Sequence, residues 1–262
     1  MLALMASPRY VESNDGTRIA YRASGRGDPI LLVHGSATTS ADWLFVLPLL
    51  REQFTVVTMD RRGRGLSGDG PSYSIEREAE DILTVLDTVD AEFLVGHSYG
   101  AMCSALAADR TERLSRLVLY EPPIGVPSGG LEPLEQLIAR GDFDRALTGF
   151  LRAVGTSKEQ LESIRSSPAW PSLTAVVPTL PRELRSCAAW THLVGPIEVP
   201  TLFLRGAMTD SPVYLHGFGS FKSAFPNART ELIPGQLHVA HVFAAETFAG
   251  LVMDFCGQER WS

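Results

Sequence analysis

Gly96-His97-Ser98-Tyr99-Gly100 is the only G-x-S-x-G in the 262-residue chain, and it falls between a strand-like run, Phe93 to Val95, and a small-residue segment, Tyr99 to Asp109, that reads as a helix. In so tight a strand-to-helix turn, side chains two residues either side of the serine would collide. Glycines stand there for that reason, and the serine Oγ is lifted clear of the sheet. A serine hydroxyl is a poor nucleophile at neutral pH and needs a positioned base. The base in turn needs an acid that fixes its tautomer and stabilises its cation. The chemistry this pattern offers is covalent attack by Ser98 on an ester-like carbonyl.

Of six histidines, His238 is best placed to be the base, because it lies in Pro234-Gly235-Gln236-Leu237-His238 between the last strand-like run and the last helix. His241, three residues on, is the alternative. For the acid, Asp210 occupies the loop after the preceding strand, on the edge where ligands bind in parallel sheets. Glu121, which follows the strand after the elbow helix, is the alternative acid. Two fixed donors must hold the developing oxyanion. The Tyr99 amide at a helix start is one, and the Ser36 amide, in the loop His34-Gly35-Ser36, is assigned as the second. His34 and His97 flank these loops as hydrogen-bonding residues that shape them. Trp43, Phe143, Phe150, Trp170, Trp190 and Tyr214 are candidates to line an apolar pocket, two or three of them at the substrate.

The elements that would position these residues follow a regular order. Arg9 to Ser13 and Arg18 to Ser24 flank Asn14-Asp15-Gly16, a turn sequence suited to a hairpin. Pro29 to Val33, Phe54 to Met59, Leu117 to Tyr120, Pro200 to Leu204 and Arg229 to Ile233 are strand-sized runs, several continuously apolar as in parallel strands covered on both faces. A helix is expected around Trp43 to Leu50 and another from Ser74, an N-cap with Glu76 and Glu78 in the first turn. A last helix is expected from about His241 to Cys256. The βαβ alternation predicts an α/β, doubly wound, mostly parallel sheet. Pro122, Pro123, Pro127 and Gly129-Gly130 break it, and Leu131 to about Val194 reads as short helices. The expected organisation is a core of residues 1–124 and 196–262 with a helical cap insertion over 125–195.

Composition narrows the function. The hydrophobic fraction is 45% and the charged fraction 20%, which fits a packed globular protein. A net charge of −7 repels phosphate backbones and anionic surfaces, so neither nucleic acid nor membrane is an expected partner. The expected partner is a small-molecule substrate. Three scattered cysteines, with no C-x-x-C, read as reduced thiols of a cytoplasmic protein. No spacing among the histidines suggests a metal site, and no cofactor is expected. Gly63-Arg64-Gly65-Leu66-Ser67-Gly68 is formally G-x-G-x-x-G, with Asp87 downstream. A dinucleotide site needs a helix starting within the glycines, whereas Asp69-Gly70-Pro71 prolongs the turn and the helix begins near Ser74.

The motifs together resemble the α/β-hydrolase superfamily, in its serine-nucleophile branch of small bacterial esterases. His34-Gly35 matches the oxyanion loop, Asp60-Arg61-Arg62-Gly63-Arg64-Gly65-Leu66-Ser67 a D-x-R-G-x-G-x-S loop, and Gly96 to Gly100 the elbow. The loops with Asp210 and His238 match the acid and base, in the order Ser, Asp, His. One departure is visible: the acid usually follows its glycine by two or three residues, and Asp210 comes four after Gly206. The resemblance implies a serine hydrolase of esters, lactones or thioesters that acts through an acyl-enzyme. The same scaffold also hosts cyclases, carbon–carbon bond hydrolases, perhydrolases and non-catalytic small-molecule receptors.

Overall fold

A computed structural model describes residues 6–124, 126–127, 129–190 and 195–258. Eight strands form one sheet: β1 (Arg9–Glu12), β2 (Arg18–Gly25), β3 (Pro29–Val33), β4 (Thr55–Met59), β5 (Phe93–His97), β6 (Arg116–Tyr120), β7 (Thr201–Gly206) and β8 (Ala228–Ile233). Their spatial order is β1-β2-β4-β3-β5-β6-β7-β8. β1 and β2 run antiparallel, and all pairings from β4 to β8 are parallel. The expected mostly parallel α/β sheet is therefore the one observed.

Side-chain alternation divides the strands between two layers of core. Leu31, Val33, Leu94, Leu117, Leu119 and Phe203 face a cluster that includes helices α2 (Ile75–Val89) and α3 (Tyr99–Ala108). Ile30, Leu32, Val95, Val118, Leu202 and Leu204 face the other way, onto α1 (Leu47–Leu50) and α11 (Ala245–Cys256). Every residue of α3 is buried, which its run of alanines and glycine makes sterically feasible. Ser74 caps α2 by accepting the Arg77 amide, and Asp90 ends it in the left-handed region.

Two expected helices are divided. Around Trp43 to Leu50 the chain makes a 3₁₀ turn (Ser40–Trp43) and then restarts as α1. Pro48, which has no amide hydrogen to donate, is accommodated in the first turn of α1. The C-terminal helix is two helices, α10 (Ala240–Phe243) and α11, separated by the non-helical backbone of Ala244. Between β6 and β7 lie α4 (Glu132–Ala139), α5 (Phe143–Ala153), α6 (Lys158–Arg165), α7 (Trp170–Ala175) and α8 (Leu180–Ala189), with α9 (Pro212–Lys222) after β7. Ala146, Leu147, Val177 and Leu180 of this helical segment bury a small core of their own with Ala37. Among the described residues no helix is long and apolar enough to cross a membrane. Cys103, Cys187 and Cys256 are free and buried.

Candidate active site

The C-terminal ends of β5, β6, β7 and β8 converge on one edge of the sheet. At the end of β5 the chain turns so abruptly into α3 that Ser98 adopts φ 53°, ψ −124°, a conformation that costs a non-glycine residue free energy and recurs at functional sites. A Cβ on Gly100 would stand 2.3 Å from the His34 carbonyl oxygen, and one on Gly96 2.6 Å from the Ala101 Cα. The two glycines of the motif are thus fixed by contact distance. The Ser98 amide donates to the Tyr120 carbonyl at 2.8 Å, which ties the elbow to the neighbouring strand.

That register places the next residue of β6 beside the elbow. Glu121 also has positive φ, 46°, and its carboxylate reaches His238 in the loop after β8. His238 Nδ1 lies 2.6 Å from Glu121 Oε2, and His238 Nε2 lies 3.0 Å from Ser98 Oγ. An ionised carboxylate only accepts, so Nδ1 carries the proton and Nε2 presents its lone pair to the serine hydroxyl. Glu121 Oε1 accepts from the Gly206 amide at 2.8 Å and the Thr209 hydroxyl at 2.6 Å. Burial pushes the Glu121 carboxyl up, but hydrogen bonds from His238, Thr209 and the Gly206 amide outweigh it and hold the group below the usual glutamate range. It is the anionic partner the imidazole needs.

The expectation for the acid is corrected by this geometry. Asp210 is exposed, and the carboxylate against His238 belongs to Glu121. After β7 the chain makes a turn in which the Thr209 amide donates to the Gly206 carbonyl and the Met208 amide to Gln236. Thr209 is turned inward to Glu121, and the residue after it is left outside. Ser98 and His238 are brought together as expected. Tyr99 opens α3, where its amide has no carbonyl four residues back within the helix to bond. Gly35 packs against the elbow so closely that a Cβ there would stand 3.1 Å from Ser98 Cβ, which brings the Ser36 loop to the same place.

One residue named only as a pocket aromatic sits in the centre of the site. The Tyr214 ring stacks on His238, with centroids 4.4 Å apart and planes 24° apart, and its hydroxyl lies 3.3 Å from His238 Nε2. The other expected pocket aromatics make different contacts. Trp43 is core beneath the site, Phe143, Phe150 and Trp170 pack on the small helical core, and Trp190 meets Phe221. A cavity of about 530 Å³ lies at the opposite edge of the sheet, around Pro29, Phe93 and Arg116, and is lined by none of Ser98, Glu121 and His238. Nothing in the sequence distinguishes Tyr214 from these others, because α9 places it through tertiary packing.

His34 holds the loop after β3 to the loop after β4, its Nε2 accepting from the Arg61 amide at 3.1 Å. The formal dinucleotide fingerprint is part of that second loop. There Asp60 accepts the amides of Ser40 and Leu66, and Arg61, Arg62 and Arg64 are buried. Arg61 pairs with Glu78 of α2 at 3.0 Å and with Glu183 of α8 at 2.5 Å, all three fully buried, and Arg64 contacts the same two carboxylates. The arginines are spent on protein carboxylates. His192 lies outside the described residues, as does the side chain of His216.

The sequence profile described as the alpha/beta hydrolase family matches residues 30–251, from β3 through α11. The chain belongs to the alpha/beta hydrolase family. A solved alpha/beta hydrolase from Sphaerobacter thermophilus superposes with TM-score 0.77 at 31% identity, covering 92% of this chain and 100% of that one. An esterase from Rhodococcus sp. ECU1013 superposes with TM-score 0.77 at 26% identity, covering 96% and 99%. The N-formylmaleamate deformylase of Pseudomonas putida is 37% identical over 121 residues, an alignment that spans 44% of this chain and 45% of the deformylase. These neighbours are hydrolases, and this alpha/beta hydrolase is an enzyme of the same fold.

Proposed function

We propose that the chain is a serine hydrolase that opens the carbonyl of a small to medium apolar carboxylic ester, lactone or thioester through an acyl-enzyme on Ser98. One observation carries the reading: the continuous relay from Glu121 through His238 to Ser98, at 2.6 and 3.0 Å. His238 Nε2 takes the Ser98 proton as Oγ bonds to the carbonyl carbon. The Tyr99 and Ser36 amides hold the oxyanion, and the alcohol or thiol leaves with the proton from His238. Water then gives a proton to His238 and its oxygen to the acyl carbon, which releases the acid and restores Ser98. Glu121 orients His238 and stabilises its cation throughout. The relatives lend support, since an esterase and a deformylase both take their names from chemistry at an acyl carbon.

Labelling with a fluorophosphonate, together with a panel of p-nitrophenyl esters of graded acyl length, tests the proposal. Covalent labelling that disappears in Ser98→Ala, accompanied by turnover of short or medium esters, is expected. Labelling without turnover of any ester, lactone or thioester would assign the site to a different reaction of this scaffold.

A further inference from the structure

A second group of chemistry-bearing residues lies directly beneath the first. Asp42 sits on the 3₁₀ turn after the oxyanion loop, His97 immediately precedes Ser98, and His241 lies on α10, three residues after His238. One carboxylate oxygen and one ring nitrogen from each histidine all fall within 4.8 Å of one another. His97 Nδ1 is 3.6 Å and His241 Nε2 3.1 Å from Asp42 Oδ2. Trp43, Tyr120 and Phe248 wall the group with aromatic rings.

The tautomer of His97 is set from its far side. Its Nε2 lies 2.9 Å from the His238 carbonyl oxygen, which can only accept, so Nε2 carries the hydrogen and Nδ1 of the neutral ring is a bare lone pair. That lone pair faces a carboxylate. Neither His97 Nδ1, nor Asp42 Oδ2, nor either ring nitrogen of His241 makes a hydrogen bond among the described residues. Two buried acceptors turned toward each other with no donor between them are costly. A proton on His241 would answer the charge of Asp42, but it leaves the His97 lone pair unanswered. A cation among the three answers Asp42 Oδ2, His97 Nδ1 and His241 Nε2 together, and of the four atoms leaves only His241 Nδ1.

The spacing is that of a chelate. Ligands of a tetrahedral ion bound at 2.0–2.1 Å stand roughly 3.3 Å apart, each lone pair aimed at the ion and not at its neighbour. Close approach without hydrogen-bond alignment is the expected trace of such a set, and His241 and Asp42 show it. Two imidazoles and one carboxylate suit a zinc-class divalent ion, with a fourth position left for water. The two histidine side chains are 6% and 0% exposed and that of Asp42 is 16%, so the fourth position opens at Asp42. The His97 Nε2 hydrogen on a backbone carbonyl is the outer contact that metal-bound histidines almost always make.

We propose that Asp42, His97 and His241 form a binding site for one zinc-class divalent cation, which would clasp the loop of His238 to the nucleophile elbow. The site takes no part in bond making. Its test reads metal, so it is independent of whether any ester is turned over. Tag-free, chelator-treated and dialysed protein should take up one equivalent of Zn²⁺ by calorimetry and by metal analysis. Co²⁺ should give the visible d–d bands of a low-coordinate nitrogen and oxygen site. The melting temperature should rise with Zn²⁺ concentration as ligand linkage requires. In folded Asp42→Asn and His241→Gln, affinity should fall by more than the roughly 10–100-fold that loss of an outer hydrogen bond costs. Two results overturn the site: no stoichiometric uptake by the wild-type protein, or uptake of equal affinity in both variants, which would place the metal on other histidines. If one variant fails to fold, the other decides.

Discussion

Glu121 Oε2 stands 2.6 Å from His238 Nδ1 across 117 residues of sequence, reaching past β7 from the end of β6 to the loop after β8. Asp210, on the loop of β7 itself, lies nearer to His238 in sequence yet is exposed to solvent.

This relationship makes the first prediction comparative. Glu121→Gln should lower kcat by roughly 10⁴, the scale set by losing the carboxylate that fixes the tautomer of a triad histidine. Asp210→Asn should leave kcat within a factor of about 2, as befits a surface substitution. Steady-state kinetics on one ester decides it, and the reverse ranking would move the acid back to the β7 loop.

Removing the nucleophile is harsher. Ser98→Ala should reduce kcat by about 10⁶, with a residual rate from the oxyanion donors and binding alone. Turnover within tenfold of wild type would mean that the hydroxyl is not the attacking group.

Acid stability should carry the signature of Glu121. Its folded carboxyl titrates below the 4.5 of an ordinary glutamate, so the folded chain binds fewer protons than the unfolded chain in the window beneath that value. The stabilisation is complete above the unfolded value and is lost as pH falls through the folded one. Urea unfolding of wild type and Glu121→Gln along a pH series should show the wild-type advantage shrinking below about pH 4.5. A constant difference would show that the carboxylate is not held ionised.

The buried charges between the sheet and the helical segment make a stability prediction. Glu183 and Arg61 are both fully buried, so Glu183→Ala leaves two buried guanidinium groups, Arg61 and Arg64, sharing the single carboxylate of Glu78, and this one uncompensated charge should cost about 3–5 kcal/mol. The urea midpoint should shift to match, and a shift of under about 1 kcal/mol, the range of surface pairs, would mean that water reaches the arginines.

Thiol chemistry gives a simple check on the core. Burial pushes the Cys256 thiol up to about 12 and raises Cys103 and Cys187 as well. Native protein should therefore react with a colorimetric disulfide reagent far more slowly than unfolded protein, which should release all three thiols. Rapid labelling of the native chain would contradict this packing.

Much of this was legible in the chain. The strands announce themselves as continuous apolar runs because both faces of a parallel sheet are covered, and the elbow glycines because their neighbours allow no Cβ. Ser98 and His238 follow from those elements. Glu121 was visible as a carboxylate after β6, but choosing it over Asp210 needs the turn at Gly206 to Thr209, whose inward residue is fixed by hydrogen bonds to another loop. Tyr214 and Asp42 were hidden for a related reason. Their positions come from how α9 and a 3₁₀ turn settle against the sheet, and pattern periodicity does not encode that. Spacing along the chain gives no sign of a cluster among the six histidines, because Asp42, His97 and His241 meet from three separate elements.

With the carboxylate against His238 delivered by β6, the segment after β7 contributes only an amide and a hydroxyl to it. The exposed residues of that turn, Ala207, Met208 and Asp210, are thereby released from the demands of proton transfer, and this outer tip, short of α9 and its Tyr214, is where the scaffold can absorb insertions or new recognition surfaces without disturbing the alignment of Ser98 and His238.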